Sequence, residues 1–273
     1  MSRRVRLDTE LVRRGLARSR EQAGSLIADG RVSVGGQVAG KAASQVDTAA
    51  AIVVAEPAGG GPDYVSRGAH KLLGALAAFA PRGLAVKGRR CLDAGASTGG
   101  FTDVLLREGA AHVLAVDVGY GQLAWSLRTD ERVTVMERVN VRELTPADVG
   151  EPPTLVVGDL SFISLRLVLP ALLTCAAPAS DFVLLVKPQF EVGKERVGAG
   201  GVVREPELRA RAVREVAVAA LGLGLVVRGV TASPLPGPSG NVEYLLWLGR
   251  GEGAAPVPDL QAEIDRAVAE GPR

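Results

Sequence analysis

The chain has 273 residues, of which 47% are hydrophobic, so it is long enough for one large domain or for a medium domain joined to a small one. Its two cysteines stand in separate apolar runs and it has only two histidines, which argues against a disulfide framework and a histidine-built zinc site. No apolar run approaches the ~20 residues of a membrane span, and the N-terminus lacks the apolar core of a secretory signal. We therefore expect a soluble, cytoplasmic protein without a metal.

Positive charge is concentrated at the N-terminus. Residues 1–20 hold seven arginines and two acids, a net charge of +5, which leaves −3 for the rest of a chain whose total is +2. A basic end on a mildly acidic body is typical of a protein that docks a polyanion there. On charge alone, a solvated basic face explains the pattern equally well.

The first part of the chain predicts a small α+β unit of two helices followed by short strands. Ser19 is a candidate N-cap for the second helix, and Gly30 is placed to end it. Residues 57–63 read PAGGGPD, a composition typical of a linker. The predicted domains are a small domain over 1–56, a linker over 57–65 and a larger domain over 66–273.

The larger domain alternates apolar strand-like runs with helical patterns. This alternation predicts an α/β fold of the Rossmann-like, doubly wound type, with a mostly parallel sheet. Two segments rich in glycine, proline or charge, 190–204 and 232–241, are predicted to be loops at strand ends, where ligands bind. A terminal helix is predicted over 258–269. The predicted strands lie at 90–93, 112–117, 133–136, 154–158, 182–187, 225–230 and 243–248.

A glycine-rich motif, DAGASTGGF at 93–101, follows the first of these strands and opens a helix. A dinucleotide site would read GxGxxG, whereas here an acid takes the first position in DxGxxxG. The Asp93 carboxylate suits a cationic amino-acid group better than a pyrophosphate, and Asp117 ends the next strand, where an acid can accept hydrogen bonds from ribose hydroxyls. Together they indicate S-adenosylmethionine; the alternative is a glycine turn with no ligand.

Four charged residues lie at or near element ends further along the chain: Lys71, Asp159, Lys187 and Glu243. Because strand ends of an open parallel sheet converge on the ligand crevice, two lysines and two carboxylates could meet in one site. Taken singly, each is more often an ordinary strand-end charge. Spacing alone does not decide whether they meet.

Six stretches of this sequence closely resemble the TlyA family of bacterial ribosomal-RNA 2′-O-methyltransferases, historically also called hemolysins. The stretches are VSRGAHKL, DAGASTGGFTDVLL, VDVGYGQLAWSLR, DLSFISL, LLVKPQFEVGK and LPGPSGNVEYLLWL. The resemblance implies an FtsJ-type methyltransferase domain behind a small RNA-binding module similar to one in a ribosomal small-subunit protein. The linker GPDYV departs from the more basic, aromatic segment expected there.

The resemblance also implies roles for individual residues. The catalytic set would be Lys71, Asp159, Lys187 and Glu243. The cofactor contacts would be Asp93, Gly95, Ser97, Gly99, Phe101 and Asp117. The implied reaction is cytidine 2′-O-methylation in small- and large-subunit ribosomal RNA, with a link to susceptibility to capreomycin-type antibiotics.

In this interpretation a ribose 2′-oxygen attacks the sulfonium methyl group in line. Lys187 is the candidate base or positioning group; a free lysine, with a pKa of about 10.4, would need desolvation or a second cation to act as a base. Ribosomal subunits are the expected partners of a monomeric protein, and arginines of the first module would pair with RNA phosphates. The candidate RNA-binding residues are Arg4, Arg6, Arg14, Arg18 and Arg20.

Three other functions compete with this one. A membrane-lytic protein lacks support from any spanning or strongly amphipathic segment. A catalytically silent ribosome-assembly factor would not need all four charged residues. A small-molecule methyltransferase would not need the basic N-terminal module.

Overall fold

The computed structural model of the protein describes residues 4–17, 19–55, 63–237 and 239–272. Internal contacts divide the chain into two compact units, residues 1–67 and 68–273. Residues 57–62 of the predicted linker lie outside the described residues. Asp63, also placed in that linker, pairs with Arg31 Nη1 at 2.7 Å within the first unit. The domain boundaries and the extent of the linker stay predictions.

The first unit has helices on small antiparallel sheets. Strand β1 (Arg4–Arg6) pairs with β4 (Gln45–Asp47), and β2 (Val32–Val34) lies between β3 (Gln37–Val38) and β5 (Ile52–Val54). Its helices bury Leu7, Leu11 and Ile27 in one small core. Ser19 Oγ accepts a hydrogen bond from Gln22 N at 3.1 Å, which confirms the predicted N-cap. The elements are β1 (Arg4–Arg6), α1 (Leu7–Arg13), α2 (Arg20–Ala28), β2 (Val32–Val34), β3 (Gln37–Val38), β4 (Gln45–Asp47) and β5 (Ile52–Val54).

The second unit contains a seven-stranded sheet. Its strands are β6 (Arg90–Ala94), β7 (His112–Asp117), β8 (Val133–Glu137), β9 (Leu155–Gly158), β10 (Ser180–Val186), β11 (Val226–Ala232) and β12 (Tyr244–Arg250). Its helices are α3 (Ala69–Phe79), α4 (Gly100–Arg107), α5 (Trp125–Arg128), α6 (Pro146–Val149), α7 (Leu165–Cys175), α8 (Pro188–Glu191), α9 (Pro206–Gly222) and α10 (Leu260–Glu270). Each predicted strand is found within a few residues of its expected position.

The strand order across the sheet is β11-β12-β10-β9-β6-β7-β8. Neighbours from β10 to β8 pair in parallel, and β12 runs antiparallel to both β10 and β11. The predicted doubly wound, mostly parallel fold class is therefore confirmed. Among the described residues, no helix is long and apolar enough to cross a bilayer.

The central strands are apolar on both faces because helices cover both. Strand β9 is buried at all four positions, and β10 buries six of its seven. Leu184 and Val186 of β10 join Leu172 and Val213 in the larger core. Both cysteines are buried free thiols, as the sequence predicted. A sheet packed in this way is a rigid platform for the loops at its strand ends.

The strand order reverses between β6 and β9. From β6 the chain moves outward through β7 and β8, then returns to place β9 on the other side of β6. In an open α/β sheet, ligands bind outside the carboxyl ends of the strands at this switch point. The loops after β6, β7, β9 and β10 therefore border the candidate site.

The two predicted loops after β10 and β11 are joined by one buried side chain. Asn241 Oδ1 accepts a hydrogen bond from Val203 N at 2.9 Å, and its Nδ2 donates to Gly201 O at 2.8 Å. The first predicted loop, 190–204, also includes the end of the short helix α8, which the sequence did not indicate.

Candidate active site

The turn after β6 is built on glycine. Gly95 has φ +84°, and a Cβ there would lie 2.8 Å from Asp159 O, so only glycine lets this turn approach the end of β9. The backbone N–H of Asp159 in turn donates to Ala94 O at 3.1 Å. At Gly99, with φ +101°, a Cβ would overlap the side chain of Leu127. The turn thus fixes the position of Asp159.

The Asp117 carboxylate follows directly from the end of β7. Its Oδ2 accepts a hydrogen bond from Ser97 N at 2.8 Å, and its Oδ1 accepts one from Gly119 N at 2.6 Å. Both bonds tie the carboxylate to the glycine turn and to its own loop. Asp117 is therefore oriented by the backbone.

A cavity of about 470 Å³ opens beside this turn. Four of the predicted site residues line it: Gly95, Ser97, Asp117 and Asp159. The other six predicted site residues are not among its lining residues: Asp93, Gly99, Phe101, Lys71, Lys187 and Glu243. The remaining lining residues are Val118, Gln122, Val139, Asn140, Val141, Leu160, Ser161, Phe162, Ile163 and Val168.

Asp93 is fully buried beneath the turn. Its Oδ2 accepts a hydrogen bond from Thr102 Oγ1 at 2.7 Å, and its buried Oδ1 has no hydrogen-bond partner among the described residues. Burial raises the pKa of the Asp93 carboxyl to about 7, against the opposing effect of the Thr102 bond. Phe101 is also buried, on helix α4.

The four predicted catalytic residues meet in a single row. Lys71 Nζ lies 2.7 Å from Glu243 Oε2 and 3.2 Å from Asp159 Oδ2. Lys187 Nζ lies 2.6 Å from Asp159 Oδ1. We call these residues, in the order Glu243, Lys71, Asp159, Lys187, the charged row. The structure brings them together, while their catalytic roles stay a prediction.

Each member of the charged row comes from a different element. Lys71 lies in the first turn of α3, Asp159 directly follows β9, Lys187 directly follows β10, and Glu243 directly precedes β12. Both lysines and Glu243 are buried, whereas the Asp159 side chain is 21% exposed. Two cations and two carboxylates balance, as buried charges require.

Glu243 closes the inner end of the charged row. A Cβ at Gly237 would lie 2.6 Å from Glu243 Oε1, so the loop that precedes β12 approaches this carboxylate closely. Its Oε1 is buried without a hydrogen-bond partner among the described residues. The outer end, at Lys187, adjoins the cavity through Ser161.

Sequence reasoning missed Ser161. Its Oγ accepts a hydrogen bond from Lys187 Nζ at 2.8 Å, and it lines the cavity. The one available signal was its position two residues after Asp159, within DLSFIS. Phe162 follows with φ +64° and is 91% exposed, its ring centroid 5.3 Å from that of Phe190.

Glu191 was missed as well. This buried residue of α8 accepts hydrogen bonds from Ser164 Oγ at 2.5 Å and from Leu165 N at 2.7 Å. Burial raises the pKa of its carboxyl, and these two bonds oppose that effect. Glu191 thus joins the segment that follows Lys187 to the start of α7, where the Asp159 loop ends.

The candidate RNA-binding arginines occupy different environments. Arg6 and Arg20 pair with Asp8 at 2.8 and 3.0 Å and stay half-exposed, at 45% and 59%. Arg14 pairs with Glu10 at 2.7 Å and also donates to Thr48 O and Ala50 O, so its guanidinium is held within the fold. Arg4 is exposed on β1, and Arg18 lies outside the described residues.

The arginines paired with Asp8 and Glu10 lower the pKa values of these two acids. Hydrogen bonds from Arg13 and Arg14 lower the pKa of Glu10 to about 2, and Arg6 holds the pKa of Asp8 well below its usual range. Both acids are therefore charged at neutral pH and fix the arginines of the first unit in place.

The doubly wound fold with this glycine turn defines a class, the Rossmann-like methyltransferases, and comparison with known proteins supports it. The family of FtsJ-like methyltransferases matches residues 64–250, and the S4 domain family matches residues 5–52. The 16S/23S rRNA (cytidine-2′-O)-methyltransferase TlyA of Mycobacterium tuberculosis is 61% identical over 274 residues, covering 100% of both chains.

Two further relatives are similar over most of their length. Hemolysin A of Brachyspira hyodysenteriae is 37% identical, covering 88% of this chain and 98% of its own. A solved structure from Streptococcus thermophilus, provisionally named a hemolysin, is 39% identical with a TM-score of 0.75 and covers 98% of this chain and 96% of its own. This chain belongs to the TlyA family of FtsJ-like methyltransferases, as its motifs predicted.

Proposed function

We propose that the protein transfers a methyl group from S-adenosylmethionine to the ribose 2′-oxygen of cytidines in the ribosomal RNA of both subunits. The observation that carries the proposal is the buried charged row, which ends beside a cavity lined by the glycine turn and Asp117. The M. tuberculosis relative is named for this activity. Ribosomes as the substrate would place the protein in the cytoplasm.

The residues around the cavity fit the cofactor. A volume of about 470 Å³ suits a ligand of this size. Asp117 keeps acceptor capacity after taking two backbone N–H groups, so it can accept the ribose hydroxyls. Asp93 does not line the cavity, but its buried Oδ1 has no hydrogen-bond partner among the described residues and could accept one from the cationic amino-acid group. When bound, S-adenosylmethionine supplies an electrophilic methyl group on a sulfonium centre.

Lys187 would hold the acceptor. Its Nζ donates to Ser161 Oγ and contacts the Asp159 carboxylate, so it is placed as a cationic donor. In that role it orients the attacking oxygen and stabilises the negative charge that grows as the hydroxyl proton leaves. Across the reaction an oxygen–carbon bond forms, a sulfur–carbon bond breaks and one proton is released.

The first unit would bind the RNA. Arg4, Arg6 and Arg20 would present exposed or half-exposed guanidinium groups to phosphates, whereas the Arg14 guanidinium is held within the fold. In this proposal residues 1–56 form the RNA-binding domain and residues 66–273 form the catalytic domain.

Methylation of isolated ribosomal subunits tests the proposal. Purified protein, labelled cofactor and small or large subunits are incubated, and the modified riboses are mapped by mass spectrometry. We expect 2′-O-methylcytidine in both subunit RNAs. Label on a base rather than a ribose would contradict the proposal, and binding to subunits without any transfer of label would indicate an assembly factor instead.

A further inference from the structure

We propose that Ser161 is a positioning residue for methyl transfer: its hydroxyl sets the direction in which Lys187 presents an N–H to the acceptor oxygen. This inference rests on the proposed function and deepens it. It extends the charged row by one neutral member at the edge of the cavity, where the row adjoins the space for substrate.

The argument begins with the donors of the lysine. An ammonium group carries three N–H donors. Among the described residues, Lys187 Nζ has two partners, Asp159 Oδ1 at 2.6 Å and Ser161 Oγ at 2.8 Å. The side chain is otherwise buried, at 8% exposure. The hydrogen bond to Ser161 Oγ takes one of these donors, and the ion pair with Asp159 holds the ammonium group on another side. The two contacts together determine the direction in which a free N–H points to the acceptor.

Asp159 alone does not determine that direction. Its carboxylate is shared, because Lys71 Nζ contacts Oδ2 while Lys187 Nζ contacts Oδ1. With only this contact, Lys187 Nζ can pivot about Oδ1 without losing its ion pair. A second acceptor on another side, Ser161 Oγ, removes that freedom. Restricting this motion before the substrate binds lowers the entropic cost of orienting the reacting groups.

The backbone around Ser161 is itself held at both ends. Asp159 N donates to Ala94 O at 3.1 Å before it. After it, Glu191 binds Ser164 Oγ and Leu165 N at the start of α7. Ser161 Oγ therefore sits on a segment anchored to both the sheet and a helix, which is what a positioning group needs.

The test compares Ser161→Ala with Ser161→Thr, which keeps the hydroxyl. Ser180→Ala is the matched control, because Ser180 lies at the opposite end of β10 from Lys187 and its hydroxyl donates to Ala177 O. Measurements are kcat and KM for ribosomal subunits, the Kd for S-adenosylmethionine, and the Tm of each variant.

We expect Ser161→Ala to lower kcat by ~10²-fold, the scale of a small misplacement of reacting groups, with KM, cofactor Kd and Tm unchanged. Ser161→Thr should recover most of kcat, and Ser180→Ala should match wild type. Wild-type kcat in Ser161→Ala, failure of Ser161→Thr to recover, or a parallel loss of cofactor affinity would each overturn the inference.

The same assays separate this inference from the function beneath it. If wild-type protein methylates no ribose in either subunit, the proposed function fails. If wild type is active, Lys187→Ala is inactive and Ser161→Ala equals wild type, then the assignment of Ser161 alone is wrong.

Discussion

At the scale of single residues, the site depends on charges that are buried only because they are paired. Lys71 contacts two carboxylates, and Asp159 contacts two ammonium groups. Removing one member of such a set leaves an uncompensated buried charge, which costs about 3–5 kcal/mol. Substitutions in the charged row must therefore be judged for folding as well as for activity.

Asp93 gives the stability a pH dependence. Its folded-state pKa, about 7, lies above the unfolded value of 3.8, so the folded chain binds more protons between those values. Its contribution to stability therefore falls as pH rises from about 4 to about 7, by roughly 4 kcal/mol in full. In Asp93→Asn this fall should be absent. Urea unfolding of wild type and Asp93→Asn without cofactor, at pH 5 and pH 8, measures the free energy of unfolding of each. If the difference between the two proteins were the same at both pH values, this explanation would be wrong.

Gly95 offers a test of close approach. Gly95→Ala should destabilise the fold and weaken cofactor binding, because the new Cβ would lie 2.8 Å from Asp159 O. Gly121 has a similar positive φ, +69°, with nothing within 4 Å of a Cβ, so Gly121→Ala isolates the ~1 kcal/mol conformational cost. The free energy of unfolding should fall by more in Gly95→Ala. Equal losses in the two variants would mean that the approach to Asp159 is unimportant.

At the scale of elements, two short segments after β9 and β10 carry Asp159, Ser161 and Lys187. Glu191 of α8 joins them through Ser164 and Leu165. The contact spans 27 residues of sequence yet closes the gap between the segments that carry Asp159 and Lys187.

Glu191→Ala should therefore affect both stability and kcat. It leaves the Leu165 N–H without its acceptor, which costs about 1–3 kcal/mol, and it frees the loop that carries Ser161. Glu270→Ala is the control, since Glu270 is 55% exposed and pairs with Arg266 at the surface, and a surface ion pair of this kind contributes little to stability. Chemical denaturation and methyl-transfer assays measure both effects. A wild-type kcat in Glu191→Ala would show that Glu191 does not position the loop that carries Ser161.

The sequence predicted the larger elements well and the smaller ones poorly. The seven apolar runs coincide with the seven strands of the sheet, because a long buried strand gives a recognisable run of apolar residues in the sequence. Helices α5, α6 and α8, each of four residues, are too short to show a helical period. The antiparallel direction of β12 was also unpredictable, since strand pairing is set by contacts far apart in sequence.

The site residues also differ in how well the sequence predicts them. Gly95, Ser97 and Asp117 could be placed because the turn and its acids lie within one βαβ unit. That the charged row meets depends on four elements from α3 to β12, which spacing cannot show. Ser161 looks like any exposed serine in the sequence, and only the 2.8 Å contact with Lys187 Nζ distinguishes it.

At the scale of the whole molecule, charge is divided between the two units. The first 20 positions carry a net charge of +5, and the rest of the chain carries a net charge of −3. Binding to ribosomal RNA should then depend steeply on salt, because each phosphate contact releases counterions.

Arg20→Ala should weaken affinity for ribosomal subunits and reduce the slope of log K against log salt by about 1 for a single lost phosphate contact. Arg266→Ala makes the same charge change on helix α10 and serves as the control. Filter binding at several salt concentrations measures both slopes. Equal slopes in the two variants would show that Arg20 is not a phosphate contact.

The central claim is that the charged row is the catalytic centre, and single-turnover methyl transfer by Lys187→Ala tests it most directly. The reaction is run with saturating protein and labelled cofactor on ribosomal subunits, alongside equilibrium binding of cofactor and subunits. The account predicts that transfer to the ribose is lost while the variant still folds and both binding affinities stay at wild-type values; the Tm should fall, because Asp159 loses one of its two ammonium partners. A transfer rate near wild type in Lys187→Ala would contradict it.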